Sequence, residues 1–186
     1  MIAAVLLAAG RSTRFGRNKL LEPLADSEPL GVHAARNVRA AVERCYAVVA
    51  GGEAGLGDRF ERVGLRVVYC AEAERGMGSS IACGVAAANG MAGYVIALAD
   101  MPFIAPATIR RVATALQQGA LCVAPVYRGR RGHPVGFSGR LRGNLLALEG
   151  ESGASGLLLR LGARTRLIEV DDPGILRDVD RPEDLP

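Results

Sequence analysis

The sequence predicts a three-layer α/β protein, a mostly parallel mixed sheet with helices on both faces. Three observations carry this. Short apolar runs alternate with amphipathic stretches from one end of the chain to the other. Some runs, such as residues 2–8 and 94–99, are continuously apolar, as strands buried on both faces require. With 186 residues, 49% of them hydrophobic, the chain can bury about 70% of its unfolded surface without staples. One domain over residues 1–186 is expected.

The elements follow in order. Apolar runs at residues 2–8, 46–50, 66–70, 94–99, 121–126, 132–137 and 165–170 predict strands. Amphipathic or small-residue stretches at 32–43, 78–88, 106–118 and 155–161 predict helices. Pro106 falls where a first helical turn tolerates proline, and Gly119 follows the last apolar position as a C-terminal cap would. Near the end, an extended stretch over 177–180 leads to a helical turn opened by Pro182.

Composition excludes several function classes. The hydrophobic content rules out disorder as the dominant state. The apolar run from Met1 to Gly10 is half the ~20 residues a bilayer span needs and has no basic segment before it, so neither a membrane span nor a signal peptide is expected. Cys45, Cys70, Cys83 and Cys122 form no C-x-x-C pair, and two histidines offer few further ligands. The four are therefore read as small buried hydrophobes in a reducing cytoplasm, without zinc or a disulfide framework. The net charge of +4 is spread along the chain without aromatic interleaving, which speaks against nucleic acid as a partner.

Ligands of such sheets collect beyond the carboxyl ends of the strands, and the informative residues lie there. The first strand runs into Leu7-Ala8-Ala9-Gly10-Arg11-Ser12-Thr13-Arg14-Phe15-Gly16-Arg17-Asn18-Lys19. Small residues let backbone amides approach a ligand, and the clustered cations suit a polyphosphate. The spacing is neither G-x-G-x-x-G nor the P-loop, so a nicotinamide enzyme and a Walker ATPase lose support. A solvated basic turn is the plain alternative. Lys19 argues against it: the other basic residues are all Arg, and a lone lysine would fall at this site by chance roughly one time in 23.

The run L-A-A-G-x-S-x-R-x-G-x-x-K-L-L resembles the opening motif of the MobA-like nucleotidyltransferases, and its Ala-Ala form is similar to the molybdenum-cofactor cytidylyltransferase branch. The resemblance implies a Rossmann-like nucleotidyltransferase fold. It places Leu7, Ala8, Ala9, Gly10, Arg11 and Ser12 around the nucleotide, with Arg14 and Lys19 on its phosphates.

Asp100 ends the fourth strand ahead of Met101-Pro102, so its carboxylate sits at the sheet edge. A carboxylate facing a triphosphate needs a cation between them, and Mg²⁺ is the expected one. An N-cap aspartate is the plainer reading. A-D-M-P resembles the family's D-x-P metal motif, and D-V-D-R-P-E-D-L resembles its closing motif, which implies Asp180 as second ligand and Asp178 in reserve.

Arg75-Gly76-Met77-Gly78-Ser79-Ser80 puts amides and hydroxyls at a helix start. Its likeness to the family's base segment implies Gly76, Ser79 and Ser80 at the nucleobase. R-G-H-P-V-G-F resembles the cytidylyltransferase acceptor segment and implies Arg131 and His133 on the acceptor side. Glu151 and Ser155 depart from the family's G-D-x-G-A-R, which bears on the acceptor's identity.

The resemblance implies transfer of CMP from CTP to the terminal phosphate of molybdopterin, with Lys19, Arg14 and Asp100 as catalytic groups and a molybdoenzyme or its chaperone as recipient. A guanylyltransferase sharing the phosphate-side residues, and a non-catalytic pterin carrier, are the alternatives. The two nucleotidyltransferase readings differ from a bland globular domain in requiring Lys19, Asp100 and Asp180 to converge, and the presence of Lys19 and Asp100 speaks against the carrier.

Overall fold

A computed structural model of the chain describes residues 1–10, 18–52 and 54–185. Strands β1 (Ile2–Leu7), β2 (Arg44–Ala50), β3 (Arg66–Cys70) and β4 (Gly93–Leu98) are parallel neighbours in the order β3-β2-β1-β4. Beyond β4 the sheet becomes mixed. β7 (Val135–Ser138) runs antiparallel between β4 and β5 (Cys122–Tyr127), the two-residue β6 (Arg130–Arg131) pairs antiparallel with β5, and β8 (Thr165–Glu169) pairs parallel with β5.

Side chains of β1 alternate between two cores, as successive strand residues must. Ile2, Ala4 and Leu6 point to the layer of α1 (Leu30–Ala41), α2 (Ala54–Val63) and α4 (Pro106–Gln117). Ala3, Val5 and Leu7 point to the layer of α3 (Met77–Ala87), α5 (Arg142–Leu146) and α6 (Ser155–Leu161). In α1 the buried Leu30, Ala34 and Val38 recur every four residues, the stripe that fixes the helix on the sheet.

Most predicted elements appear within two or three residues of their expected bounds, with differences that have local causes. Helix α1 starts at Leu30 rather than at 32 because Pro29 supplies the extended residue before it. Strand β7 starts after Pro134, which has no N–H to give to a ladder. Helix α2 occupies a stretch for which the pattern predicts no element. Its Gly55 and Gly57 lower intrinsic helicity, and burial of Leu56 and Phe60 compensates. Residues 177–180 join no strand; within them the Val179 N–H donates to the Asp100 carbonyl at 2.9 Å.

The cysteines need a correction. Cys70, at the end of β3, and Cys83, on α3, form a disulfide with Cα atoms 6.1 Å apart, a separation suited to that bond. Cys45 and Cys122 are free and buried, as small hydrophobes are. Among the described residues no helix is long and apolar enough to cross a membrane.

Candidate active site

Strand order makes the cleft. The chain leaves β1 toward β2 on one side and later returns to β4 on the other, so the carboxyl ends of β1 and β4 flank a switch point. Leu7 is in register with Leu98, which sets Ala8 to Gly10 beside Ala99 and Asp100. The Ala99 N–H donates to the Leu7 carbonyl at 3.0 Å and extends this alignment past the ladder.

A cavity of about 430 Å³ opens there. Leu7, Ala8, Ala9, Gly10, Lys19, Gly76, Ser80 and Asp100 line it. Ser79 is buried and lies outside its walls. Arg11, Ser12 and Arg14 lie outside the described residues. Leu20, Ala73, Glu74, Met77, Leu98 and Glu151 also line the cavity, and the sequence reading did not single them out as lining residues. Leu98 and Leu20 could have been found from their places beside Asp100 and Lys19; the others carry no residue-type signal for a ligand.

Lys19 opens a short 3₁₀ turn, Lys19–Leu21, capped by the Asn18 side chain, which accepts from the Leu20 N–H at 3.1 Å. Its ammonium donates to Asp100 Oδ2 at 2.9 Å and to Asp180 Oδ1 at 2.8 Å. Residues 81 and 161 positions away in sequence thus meet at one nitrogen. Burial by itself lowers the Lys19 pKa, but the negative charge of Asp100 and the hydrogen bonds to Asp180 and Asp100 outweigh it and leave the pKa raised. The other Asp100 oxygen, Oδ1, is buried without a hydrogen-bond partner among the described residues. Asp184 Oδ2 accepts from the Asp180 and Arg181 N–H groups at 2.9 and 2.8 Å, which fixes the turn that presents Asp180. Asp178 is exposed and does not join this cluster; its charge acts instead on His133.

A second cavity of about 330 Å³ adjoins the first, sharing Met77, Leu98 and Glu151 as a common wall. Arg131 and His133 line it, with Glu151, Ser152 and Ser155 opposite an apolar floor that includes Ile96, Val135 and Phe137. Both positions that depart from the family pattern, 151 and 155, therefore face this second space. Burial lowers the His133 pKa, against the pull of Asp100 and Asp178, so the ring is neutral at neutral pH. Its Nδ1 is buried without a hydrogen-bond partner among the described residues.

The wall is built by close backbone contact. Gly76 adopts φ +113°, and a Cβ there would collide with the Gly150 carbonyl. The Gly78 N–H donates to the Gly150 carbonyl at 2.9 Å. The disulfide closes a loop that contains Ala73, Glu74, Gly76, Met77 and Ser80, all on the first cavity.

Residues 4–165 match the family model described as the MobA-like NTP transferase domain. The chain belongs to this family. This nucleotidyltransferase is 31% identical to the purine catabolism protein PucB of Bacillus subtilis (strain 168), over 98% of its own chain and 93% of that protein. It is also 31% identical to the nicotine blue oxidoreductase of Paenarthrobacter nicotinovorans, over 99% of its chain and 94% of that protein. A crystal structure from Mycobacterium tuberculosis H37Rv superposes with a TM-score of 0.85 at 30% identity, covering 98% of this chain and 94% of that one. The manganese complex of that mycobacterial protein superposes with a TM-score of 0.78 at 28% identity, covering 98% and 95%.

Proposed function

We propose that this nucleotidyltransferase transfers CMP from CTP to the terminal phosphate of molybdopterin or its molybdenum form, releases pyrophosphate, and works with Mg²⁺. One observation carries the reading. The Lys19 ammonium is held between Asp100 and Asp180 beside a cavity walled by small residues, and that cavity adjoins a second one bearing Arg131 and His133.

Asp100 and Asp180 offer hard oxygen donors, and Asp100 Oδ1 has no hydrogen-bond partner among the described residues, so the pair fits a Mg²⁺ ion completed by phosphate oxygens and water. The manganese bound by the mycobacterial relative supports a divalent ion here. When bound, such an ion supplies neutralisation of phosphate charge.

In the transfer, an oxygen of the acceptor phosphate forms a bond to the α-phosphorus of CTP. The bond from that phosphorus to the bridging oxygen of the β-phosphate breaks, and its electron pair leaves with pyrophosphate. A phosphate nucleophile is already ionised near neutral pH, so the protein contributes alignment and charge rather than a base. Lys19 and Arg14 place positive charge on the departing pyrophosphate. Leu7, Ala8, Ala9, Gly10, Arg11 and Ser12 surround the nucleotide, and Gly76 and Ser80, with Ser79 behind them, face the base. Arg131 binds the acceptor's charge, and neutral His133 offers Nδ1 to it. The Ala8-Ala9 form of the loop favours CTP over GTP.

A pyrophosphate-release assay with each of the four triphosphates and molybdenum-loaded pterin tests this. Release fastest with CTP is the expected result. Faster release with GTP would make the enzyme a guanylyltransferase, and pterin binding without release would make it a carrier that passes the cofactor to a molybdoenzyme or its chaperone. One relative is named for redox chemistry, but the Gly10 loop lacks the G-x-G-x-x-G spacing of a dinucleotide site.

A further inference from the structure

We propose that Asp172 is a positioning residue that sets the spacing between Asp100 and Asp180. The inference rests on the reading of those two carboxylates as the cation site, and adds a residue that itself touches neither ion nor substrate.

Asp172 is the only buried carboxylate among the described residues, 7% exposed. Its Oδ2 accepts from the Ala105 N–H at 2.9 Å and from the Thr108 hydroxyl at 2.6 Å. Its Oδ1 accepts from the Gly174 N–H at 3.0 Å. Three donors satisfy a charge that burial would otherwise make costly. They come from two segments. Ala105 and Thr108 belong to the stretch that leaves Asp100 and enters α4, whose start has no side-chain cap on Ala105 itself. Gly174 belongs to the strap that leads to Asp180.

The strap is fastened to the Asp100 loop at both ends. At the near end, Gly174 lies so close to the Phe103 carbonyl that no Cβ fits, and the Arg177 guanidinium stacks 4.0 Å from the Phe103 ring centre. At the far end, the Val179 N–H donates to the carbonyl of Asp100 itself, and Val179 is fully buried one residue before Asp180. Midway, the Ile175 carbonyl accepts from the His133 N–H at 3.0 Å, which ties the acceptor side to the same strap. With Asp172 pinning one end and Val179 the other, the strap has little freedom to slide along the loop. The two carboxylates that share the Lys19 ammonium are therefore held in register by a third, buried one. Groups that orient ligands from behind in this way typically alter metal affinity by 10–100-fold when changed.

Asp172→Asn keeps the size and removes the charge. The lone lysine allows a readout independent of activity: in protein labelled with ¹⁵N-lysine, the side-chain ammonium gives one signal, visible only while exchange with water is slow. Asp172→Asn is expected to speed that exchange about tenfold and to weaken Mn²⁺ binding in the presence of CTP about tenfold, read by electron paramagnetic resonance. The KM for CTP at saturating metal should stay within about twofold. Thr108→Val removes one of three donors and should give about a threefold change, which keeps the test open if Asp172→Asn folds poorly. Val38→Ala, which opens a gap under α1 on the same core, serves as a destabilised control and should leave both readouts unchanged. Lower stability in Asp172→Asn with wild-type ammonium exchange and Mn²⁺ affinity would overturn the proposal. Failure of the underlying reading looks different: Mn²⁺ would bind Asp100→Ala as tightly as the wild type.

Discussion

Replacing Lys19 with Met keeps the length of the side chain and removes the charge that Asp100 and Asp180 share. Their oxygens lie 2.9 and 2.8 Å from one nitrogen, so they are at most about 5.7 Å apart. At an effective dielectric constant near 20, two unit charges at that distance repel by about 3 kcal/mol. Water softens this, because the Asp180 side chain is 41% exposed, although Lys19 and Asp100 are only 12% and 25% exposed. A net loss of about 2 kcal/mol is expected, a fall of roughly 4–8 °C in Tm for a chain of this size. The raised pKa of Lys19 means its contribution is complete below the ordinary value of 10.5 and lost only as pH rises through the folded-state value. Thermal unfolding at pH 8 therefore reads the full effect. Added Mg²⁺ or Mn²⁺ should restore more of the lost stability in Lys19→Met than it adds to the wild type, because the cation no longer competes with an ammonium for the same oxygens. Metal binding without nucleotide should tighten while pyrophosphate release falls by at least ~10²-fold. A Lys19→Met protein as stable as the wild type, or one that gains no more from metal, would refute the reasoning.

Asp100→Ala should lower turnover by at least ~10²-fold with the fold intact by circular dichroism, and wild-type turnover would remove Asp100 from the machinery. Denatured protein without reductant should show two thiols by Ellman titration, Cys45 and Cys122, and four after reduction. The folded protein should react slowly, since burial holds the Cys45 thiol up at about 12 and raises that of Cys122. Reduction of the Cys70–Cys83 bond should cost about 3 kcal/mol, from loop closure over a sequence separation of 13, measured by urea unfolding with and without dithiothreitol. The lowered pKa of His133 makes its neutral ring stabilising above the ordinary value of 6.5, and that contribution is lost as pH falls below it. Between pH 7 and 5 the wild type should lose more stability than His133→Asn.

The sheet was legible chiefly through β1, β2, β4, β5 and β7, which are buried on both faces and read as apolar runs, whereas the edge strands β3 and β8 are partly exposed. Helix α2 was not, because two glycines mask a helix whose support comes from the tertiary burial of Leu56 and Phe60. The carboxyl ends of β1 and β4 drew attention to Gly10 and Asp100, and the lone lysine marked Lys19. Asp180 needed a family motif, since nothing local distinguishes it from Asp178. Met77 carries no chemical signature, Glu151 stood out only as a departure from the family's acceptor segment, and the place of both between two cavities exists only after folding. Cys70 and Cys83 read as separate thiols because spacing alone does not say that a strand end and a helix face meet. Asp172 is one of two adjacent aspartates, and only the fold buries one and exposes the other.

The backbone contact between Gly76–Gly78 and Glu149–Gly150 leaves no slack between the two cavities. A side chain added at residue 76 or 78 would have to push residues 149–151 aside, so the walls of the first and the second cavity move together. Selection for a new acceptor in this chain would therefore drag its choice of nucleotide along, so the two preferences are expected to change together across relatives rather than to be mixed freely.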